Sequence, residues 1–130
     1  METALRVDSG PERHHPAALA YRRGVRHPED YVEAVLSLVE QVPPGRVTTY
    51  GAIAEALGRF GPRRVGAVMA EHGAAVPWWR VVRADGTVPP ALVDRAREHH
   101  LAEGTPYRPS GAVDLRIARW PDLDPAQDGK

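Results

Sequence analysis

This chain of 130 residues has 17 acidic residues and six histidines, but their spacing shows no pattern typical of catalytic or metal sites. It contains no cysteine, which excludes thiolate nucleophiles, thiolate metal sites and disulfides. Four of the six histidines form the adjacent pairs His14-His15 and His99-His100, and chain neighbours rarely face one metal. No nucleophile–base pair, paired carboxylates or phosphate-cradling glycine loop is evident. We therefore expect no catalytic residue, no metal and no cofactor.

The residues that stand out instead recur at helical spacing between positions 62 and 73. One helix face carries an arginine and three small residues at i, i+3, i+4 and i+7: Arg63, Gly66, Ala67 and Ala70. Because small residues let a helix backbone come very close to its neighbour, this face suits contact with another macromolecule. The alternative is close packing against another helix of the same protein. The opposite side is expected to pack inward through Val65, Val68, Met69 and His72.

Charge is distributed unevenly, although the net charge is zero. Residues 45–83 carry six arginines and two glutamates, a net charge of +4, and each flank has a net charge of −2. A positive middle segment between acidic flanks is consistent with a surface that faces phosphates. The arginines that could contact phosphate are Arg46, Arg59 and Arg64.

Three helices are predicted to position this face. The first spans residues 28–42, with Val32, Val35, Leu36 and Val39 on one face. The second begins near Thr48 or Thr49, either of which can cap it, and carries Tyr50, Ile53, Ala54 and Leu57. After a turn at residues 58–61, the third spans residues 62–73. Two short helices joined by a glycine-containing turn indicate a helix-turn-helix.

The C-terminal half is predicted to be more varied. Residues 77–83 should be extended, Asp85-Gly86 should form a turn, and a helix should cover residues 91–103. Val113, Leu115 and Ile117 alternate with polar residues, which predicts a short strand. We predict a mainly α, winged-helix-like domain over residues 28–121 with a short β hairpin or strands on its C-terminal side. Residues 1–27 and 122–130 are expected to be tails.

Three segments, taken together, resemble the DNA-binding domain of the O6-alkylguanine-DNA alkyltransferase family. They are residues 42–54 (VPPGRVTTYGAIA), 63–66 (RRVG) and 77–82 (PWWRVV), in the family's order and near its spacing. In true alkyltransferases the last segment reads Pro-Cys-His-Arg-Val, where the cysteine accepts the alkyl group and the histidine activates it. Here those positions are Trp78 and Trp79, and an indole cannot accept an alkyl group. The resemblance therefore implies a protein that is not an enzyme.

The alkyltransferase-like branch of this family is the closer resemblance. Its members commonly have Trp-His or Ala-His at these positions, bind DNA carrying O6-alkylguanine without repairing it, and flag the lesion for nucleotide excision repair. The tryptophan at position 78 agrees with this pattern, whereas Trp79 departs from it. The implied partners are double-stranded DNA with an alkylated guanine and nucleotide excision repair proteins.

The resemblance also assigns roles to residues. The third helix would lie in the minor groove, with Arg63 filling the gap left by a flipped nucleotide and Tyr50 near that nucleotide's phosphate. The DNA-binding set is Thr49, Tyr50, Arg63, Arg64, Gly66, Ala67 and Ala70. The base-pocket set is Tyr50, Met69, Trp78, Trp79 and Val81. We expect Arg80 to anchor a loop through buried hydrogen bonds.

Other functions remain open at this point. The helix-turn-helix could read sequence in the major groove as a regulator, or the chain could be a vestigial DNA-binding module without lesion preference. An enzyme of another class or a partner module is a further alternative. An apolar cavity beside Trp78 that reaches the third helix would favour base capture, and a filled one would favour vestigial binding. No apolar run is long enough to span a membrane, and we expect a cytoplasmic, nucleoid-associated monomer.

Overall fold

The computed structural model describes residues 28–121, so the predicted tails at residues 1–27 and 122–130 lie outside the described residues. The first helix, α1, spans Pro28–Gln41, with Glu29 and Asp30 in its first turn, where the helix dipole favours acidic side chains. Its apolar face is buried through Tyr31, Ala34, Val35, Leu38 and Val39. It ends at Gln41, one residue before the predicted end and just ahead of two prolines.

The predicted helix-turn-helix is present as α2 (Tyr50–Leu57) and α3 (Pro62–His72). Thr49 caps α2, because its hydroxyl oxygen accepts a hydrogen bond from the Ala52 N–H at 3.0 Å. Gly58 ends α2 in the left-handed conformation, with φ of 76°. Both helices pack on α1 around one apolar core, which includes Val35, Leu38, Ile53, Leu57, Val65 and Val68.

A second, smaller core joins the C-terminal half to the helix-turn-helix. Strand β1 (Thr48–Thr49) pairs in parallel with β2 (Val81–Val82), and Thr48 lies opposite Val81. Short 3₁₀ turns at Gly73–Ala75 and Trp78–Arg80 lead from α3 into β2. A third 3₁₀ turn at Pro90–Leu92 precedes α4 (Val93–Glu103). The buried members of this core are Val47, Val82, Val88, Ala96, Val113 and Ala118.

The mainly helical architecture with a small sheet is as predicted, but three local predictions are wrong. Residues 115–118 form a short helix, α5 (Leu115–Ala118), because Asp114 caps it by accepting the Arg116 N–H. The segment expected to be extended over residues 77–83 turns once, at Trp78–Arg80, before entering β2. His72 does not pack inward, since its side chain is 43% exposed beside Glu71 at the end of α3.

None of the helices in the described part of the chain combines the length and apolarity needed to cross a bilayer.

Candidate nucleic-acid interface

The small-residue face of α3 is open rather than packed. Arg63, Ala67 and Ala70 are exposed and Gly66 is half-buried. Apart from the adjacent backbone of α3 itself, a Cβ atom built on Gly66 would meet no atom within 4 Å. Close packing within residues 28–121 therefore does not account for a glycine in the middle of this helix, where it costs about 0.5–1 kcal/mol relative to alanine.

Positive charge surrounds the start of α3. Arg59, Arg63 and Arg64 are all exposed there, and the guanidinium groups of Arg59 and Arg64 each lie 5.1 Å from the ring centre of Phe60. Phe60 has a positive φ of 61°, which is uncommon for an aromatic residue, and its ring packs edge-on against Tyr31 at 5.0 Å. The turn of the helix-turn-helix therefore holds two arginines over one aromatic ring.

Arg46 has a different position from the other predicted phosphate contacts. One of its guanidinium nitrogens donates hydrogen bonds to the carbonyl oxygens of Ile117 at 3.2 Å and Arg119 at 2.9 Å. This side chain therefore braces α5 and the segment that follows it.

A cavity of about 410 Å³ opens between α3 and the C-terminal half. Its size falls in the range of ligand pockets. Its walls are mostly apolar and come from α2, α3, β2, the three 3₁₀ turns with the residues ahead of the third, and the start of α4: Tyr50, Gly66, Met69, Ala70, Gly73, Ala74, Trp78, Val81, Val88, Pro89, Ala91, Leu92 and Arg95. Because Gly66 and Ala70 belong to the open face of α3, the cavity reaches that face.

Tyr50 contributes a hydroxyl group to the cavity wall, and Trp78 contributes its largest ring. Burial raises the pKa of Tyr50, and the nearby charge of Arg83 only partly opposes this, so its hydroxyl is neutral at neutral pH. The Trp78 ring lies edge-on to Trp79 at 5.6 Å and to His99 at 5.8 Å, and the Arg95 guanidinium is 5.6 Å from its centre. Trp78 therefore forms part of the wall and leaves the cavity open.

Trp79 does not line this cavity, contrary to its predicted place in the base pocket. Its ring stacks on His99 with 3.6 Å between ring centres and 5° between planes. Its indole N–H donates to a carboxylate oxygen of Glu103 at 2.9 Å. An indole has one donor and no acceptor, and the Glu103 carboxylate satisfies that donor on the side of Trp79 that faces α4.

Arg80 anchors the turn that carries both tryptophans, as expected. Its guanidinium donates to the Val42 carbonyl oxygen at 3.0 Å and pairs with the Glu103 carboxylate through two nitrogens. Burial works to raise the pKa of Glu103. The hydrogen bonds from Arg80, Trp79 and the Gly45 N–H outweigh it, together with the charge of Arg80, so this pKa lies below its ordinary value.

Four of the five predicted pocket residues line this one cavity: Tyr50, Met69, Trp78 and Val81. The sequence did not assign Gly73, Ala74, Val88, Leu92 and Arg95 to this wall. The only signal was the i, i+3 spacing of Leu92 and Arg95 at the start of a predicted helix, which puts both residues on one face. The direction of that face depends on how α4 packs against the tryptophan turn.

Comparison with known proteins identifies the family. A family model described as the DNA-binding domain of 6-O-methylguanine DNA methyltransferase matches residues 30–105. A protein named DNA base-flipping protein from Escherichia coli (strain K12) is 34% identical over 122 residues, which cover 90% of this chain and 95% of the relative. A protein of the same name from Vibrio parahaemolyticus serotype O3:K6 is 30% identical over 99 residues, covering 71% of this chain and 97% of the relative.

Two solved structures share the fold. S. pombe Atl1 in complex with damaged DNA containing O6-carboxymethylguanine has a TM-score of 0.64 and 28% identity, over 73% of this chain and 98% of that one. A structure of S. pombe ATL in complex with DNA has a TM-score of 0.60 and 30% identity, over 74% of this chain and 98% of that one. The chain belongs to the 6-O-methylguanine DNA methyltransferase family, in its alkyltransferase-like branch.

Proposed function

We propose that the protein binds double-stranded DNA through α3, flips an O6-alkylated guanine into the cavity beside Trp78, and leaves the alkyl group in place. The observation that carries this proposal is the continuity between the cavity and the small-residue face of α3, formed by Gly66 and Ala70. A vestigial DNA-binding module has no need for an open apolar cavity of about 410 Å³ beside its DNA-facing helix.

Minor-groove binding follows from the shape of α3. The minor groove is about 6 Å wide, so a helix with long side chains on its leading face does not fit into it. Gly66, Ala67 and Ala70 remove that obstruction, whereas a helix that reads sequence in the major groove needs side chains that reach base edges. Exposed Arg63, at the start of the same face, has the length to enter the base stack when a nucleotide leaves it.

Base capture follows from the walls of the cavity. Contact between a base and an aromatic side chain is worth about 1–3 kcal/mol, and Trp78 presents the largest ring there. The neutral hydroxyl of Tyr50 can donate a hydrogen bond at the mouth. Since Trp78 occupies the position of the alkyl acceptor, the captured base would be held and not repaired.

The names of the relatives support the same function. The two bacterial relatives are named DNA base-flipping proteins, and the S. pombe Atl1 complex contains damaged DNA. We extend the proposal to a cytoplasmic, nucleoid-associated monomer that hands the bound lesion to nucleotide excision repair proteins.

The test is the affinity for a duplex with one O6-methylguanine compared with the same duplex carrying guanine, at one salt concentration. The phosphate contribution is common to both duplexes, so their ratio isolates lesion recognition. We expect at least about tenfold tighter binding to the damaged duplex, since a damaged pair costs less to open. Equal affinities would contradict the proposal, as would transfer of a labelled alkyl group from DNA to the protein.

Arg63→Ala should lower this ratio about tenfold, because no side chain then fills the gap in the stack. Arg116→Ala is the matched control, since the Arg116 side chain is 85% exposed on α5 and its loss removes the same charge. If both variants keep the full lesion preference, Arg63 does not act at the flipped position.

A further inference from the structure

We propose that Arg95 makes the cavity selective for O6-alkyl groups that carry a negative charge, such as a carboxylate, over neutral groups of the same size. This inference rests on the proposed function and concerns which adducts the cavity holds best.

Arg95 differs in kind from the rest of the cavity wall. Of the described residues that line the cavity, it is the one that carries a charge, and it lies one turn after Ala91 and Leu92, at the start of α4. Its guanidinium lies 5.6 Å from the ring centre of Trp78, the residue at the former acceptor position. That distance is within the range of a cation–π contact, which holds the charge beside the proposed base site.

The charge of Arg95 is available to a ligand. Arg95 takes no part in the ion pairs described between His72 and Glu71, Arg80 and Glu103, and Arg116 and Asp114. Asp94 and Glu98 flank Arg95 on α4, but neither forms an ion pair with it in the described part of the chain. The guanidinium therefore keeps its donors for an incoming group.

The surroundings make that charge selective. A carboxylate in an otherwise apolar cavity would lose water without compensation, which is costly. Arg95 offers it a paired, charge-assisted hydrogen bond, and guanidinium–carboxylate pairs are frequently bidentate. The Tyr50 hydroxyl stays neutral at neutral pH and so does not repel an anion, and the charge of Arg83 near it has the favourable sign. A neutral alkyl group gains no such hydrogen bond.

Three duplexes of one sequence test the inference: with guanine, with O6-carboxymethylguanine, and with O6-carbamoylmethylguanine, whose amide matches the carboxylate in size. Affinities are measured at one salt concentration for the full chain and for Arg95→Gln. We expect the full chain to prefer the carboxymethyl over the carbamoylmethyl duplex about tenfold, and Arg95→Gln to reduce this preference to about twofold or less.

Arg97→Gln is the matched control. Arg97 lies on the same helix, is exposed and contacts the ring of Tyr107 at 5.0 Å, away from the cavity wall. It should keep the tenfold preference while losing the same net charge. If both adducts bind more tightly than guanine but equally to each other, the inference about Arg95 is overturned and the proposed function stands. If neither adduct binds more tightly than guanine, the proposed function fails, and the inference fails with it.

Discussion

Glu103 joins two parts of the site that are far apart in the chain. It accepts hydrogen bonds from the Gly45 N–H at 3.1 Å, ahead of β1, and from the Trp79 indole at 2.9 Å. It also pairs with Arg80, whose Nε donates to it at 3.1 Å. Both charged side chains are mostly buried, at 14% exposure for Arg80 and 13% for Glu103. One carboxylate therefore ties the turn that carries Trp78 both to the segment ahead of β1 and to α4.

Glu103→Ala should therefore destabilise the protein by about 2–4 kcal/mol, since removing one partner of a buried ion pair costs about 3–5 kcal/mol and this pair is slightly exposed. Urea unfolding followed by tryptophan fluorescence measures the loss. Glu98→Ala, an exposed change on the same helix, should stay within about 0.5 kcal/mol of the unmodified chain. Similar stabilities for the two variants would show that the network around Arg80 contributes little.

Individual residues also mark what the sequence could and could not predict. Arg80 was expected to anchor a loop, and its hydrogen bonds to Val42 and Glu103 confirm this. The position of Trp79 could not be predicted from the sequence, because it depends on contacts with His99 and Glu103 from α4. The partners of a side chain on another element are set by packing that no local pattern encodes.

At the scale of elements, α3 contains a residue type that lowers the stability of a helix. Gly66 lies in its middle with open space where a Cβ would go. Gly104 at the end of α4 has the same open space but a φ of 73°. Both positions can hold a Cβ atom, so a difference in stability between their alanine variants reports the effect of backbone conformation.

Gly66→Ala should stabilise the protein by about 0.5–1 kcal/mol, because alanine is the better helix former and nothing obstructs it. Gly104→Ala should destabilise it by about 1–2 kcal/mol, because a left-handed conformation is strained for alanine. Thermal unfolding of both variants measures whether each substitution raises or lowers the stability of the fold. A destabilised Gly66→Ala variant would mean that this glycine serves the fold after all, and would weaken the argument for a DNA-facing role.

Regular helices were the most predictable elements. The three N-terminal helices appear within a few residues of their predicted ends, because each has a clear apolar periodicity and a proline, glycine or threonine at its boundary. Residues 113–117 were assigned wrongly because a five-residue alternation is too short to separate a strand from a capped helical turn. The cap at Asp114 decided the outcome, and it left Ile117 59% exposed.

For the molecule as a whole, His100 links stability to pH. It is 1% exposed, and its ring nitrogens lie 2.6 Å from the Tyr107 hydroxyl and 2.6 Å from the Trp79 carbonyl oxygen. Burial lowers the pKa of His100 below its ordinary value, although the Trp79 hydrogen bond and the charge of Glu103 oppose this. In the unfolded chain the same histidine takes up a proton near its ordinary pKa of about 6.5.

The unfolded state therefore binds more protons as pH falls, and stability should be full above about pH 7 and decline below about 6.5. Midpoints of urea unfolding at pH 8, 7, 6 and 5 measure this decline. His100→Asn should flatten it, whereas His72→Asn, at an exposed position, should leave the slope unchanged. A profile that is flat from pH 8 to 5 in the unmodified chain would contradict the assignment. The lowered pKa of Glu103 adds a further loss only below about pH 4.3.

The parallel pairing of β1 with β2 also bears on the order in which the chain folds. Thr48 pairs with Val81, and both α2 and α3 lie in the stretch of chain between these two residues. Contacts within and between adjacent helices need little loop closure, whereas this pairing must wait for its ends to meet. We expect the helical unit of α1 to α3 to form first and the cavity to be completed last. The cavity beside Trp78 would then be the part of the molecule that opens most readily, while α3 stays folded.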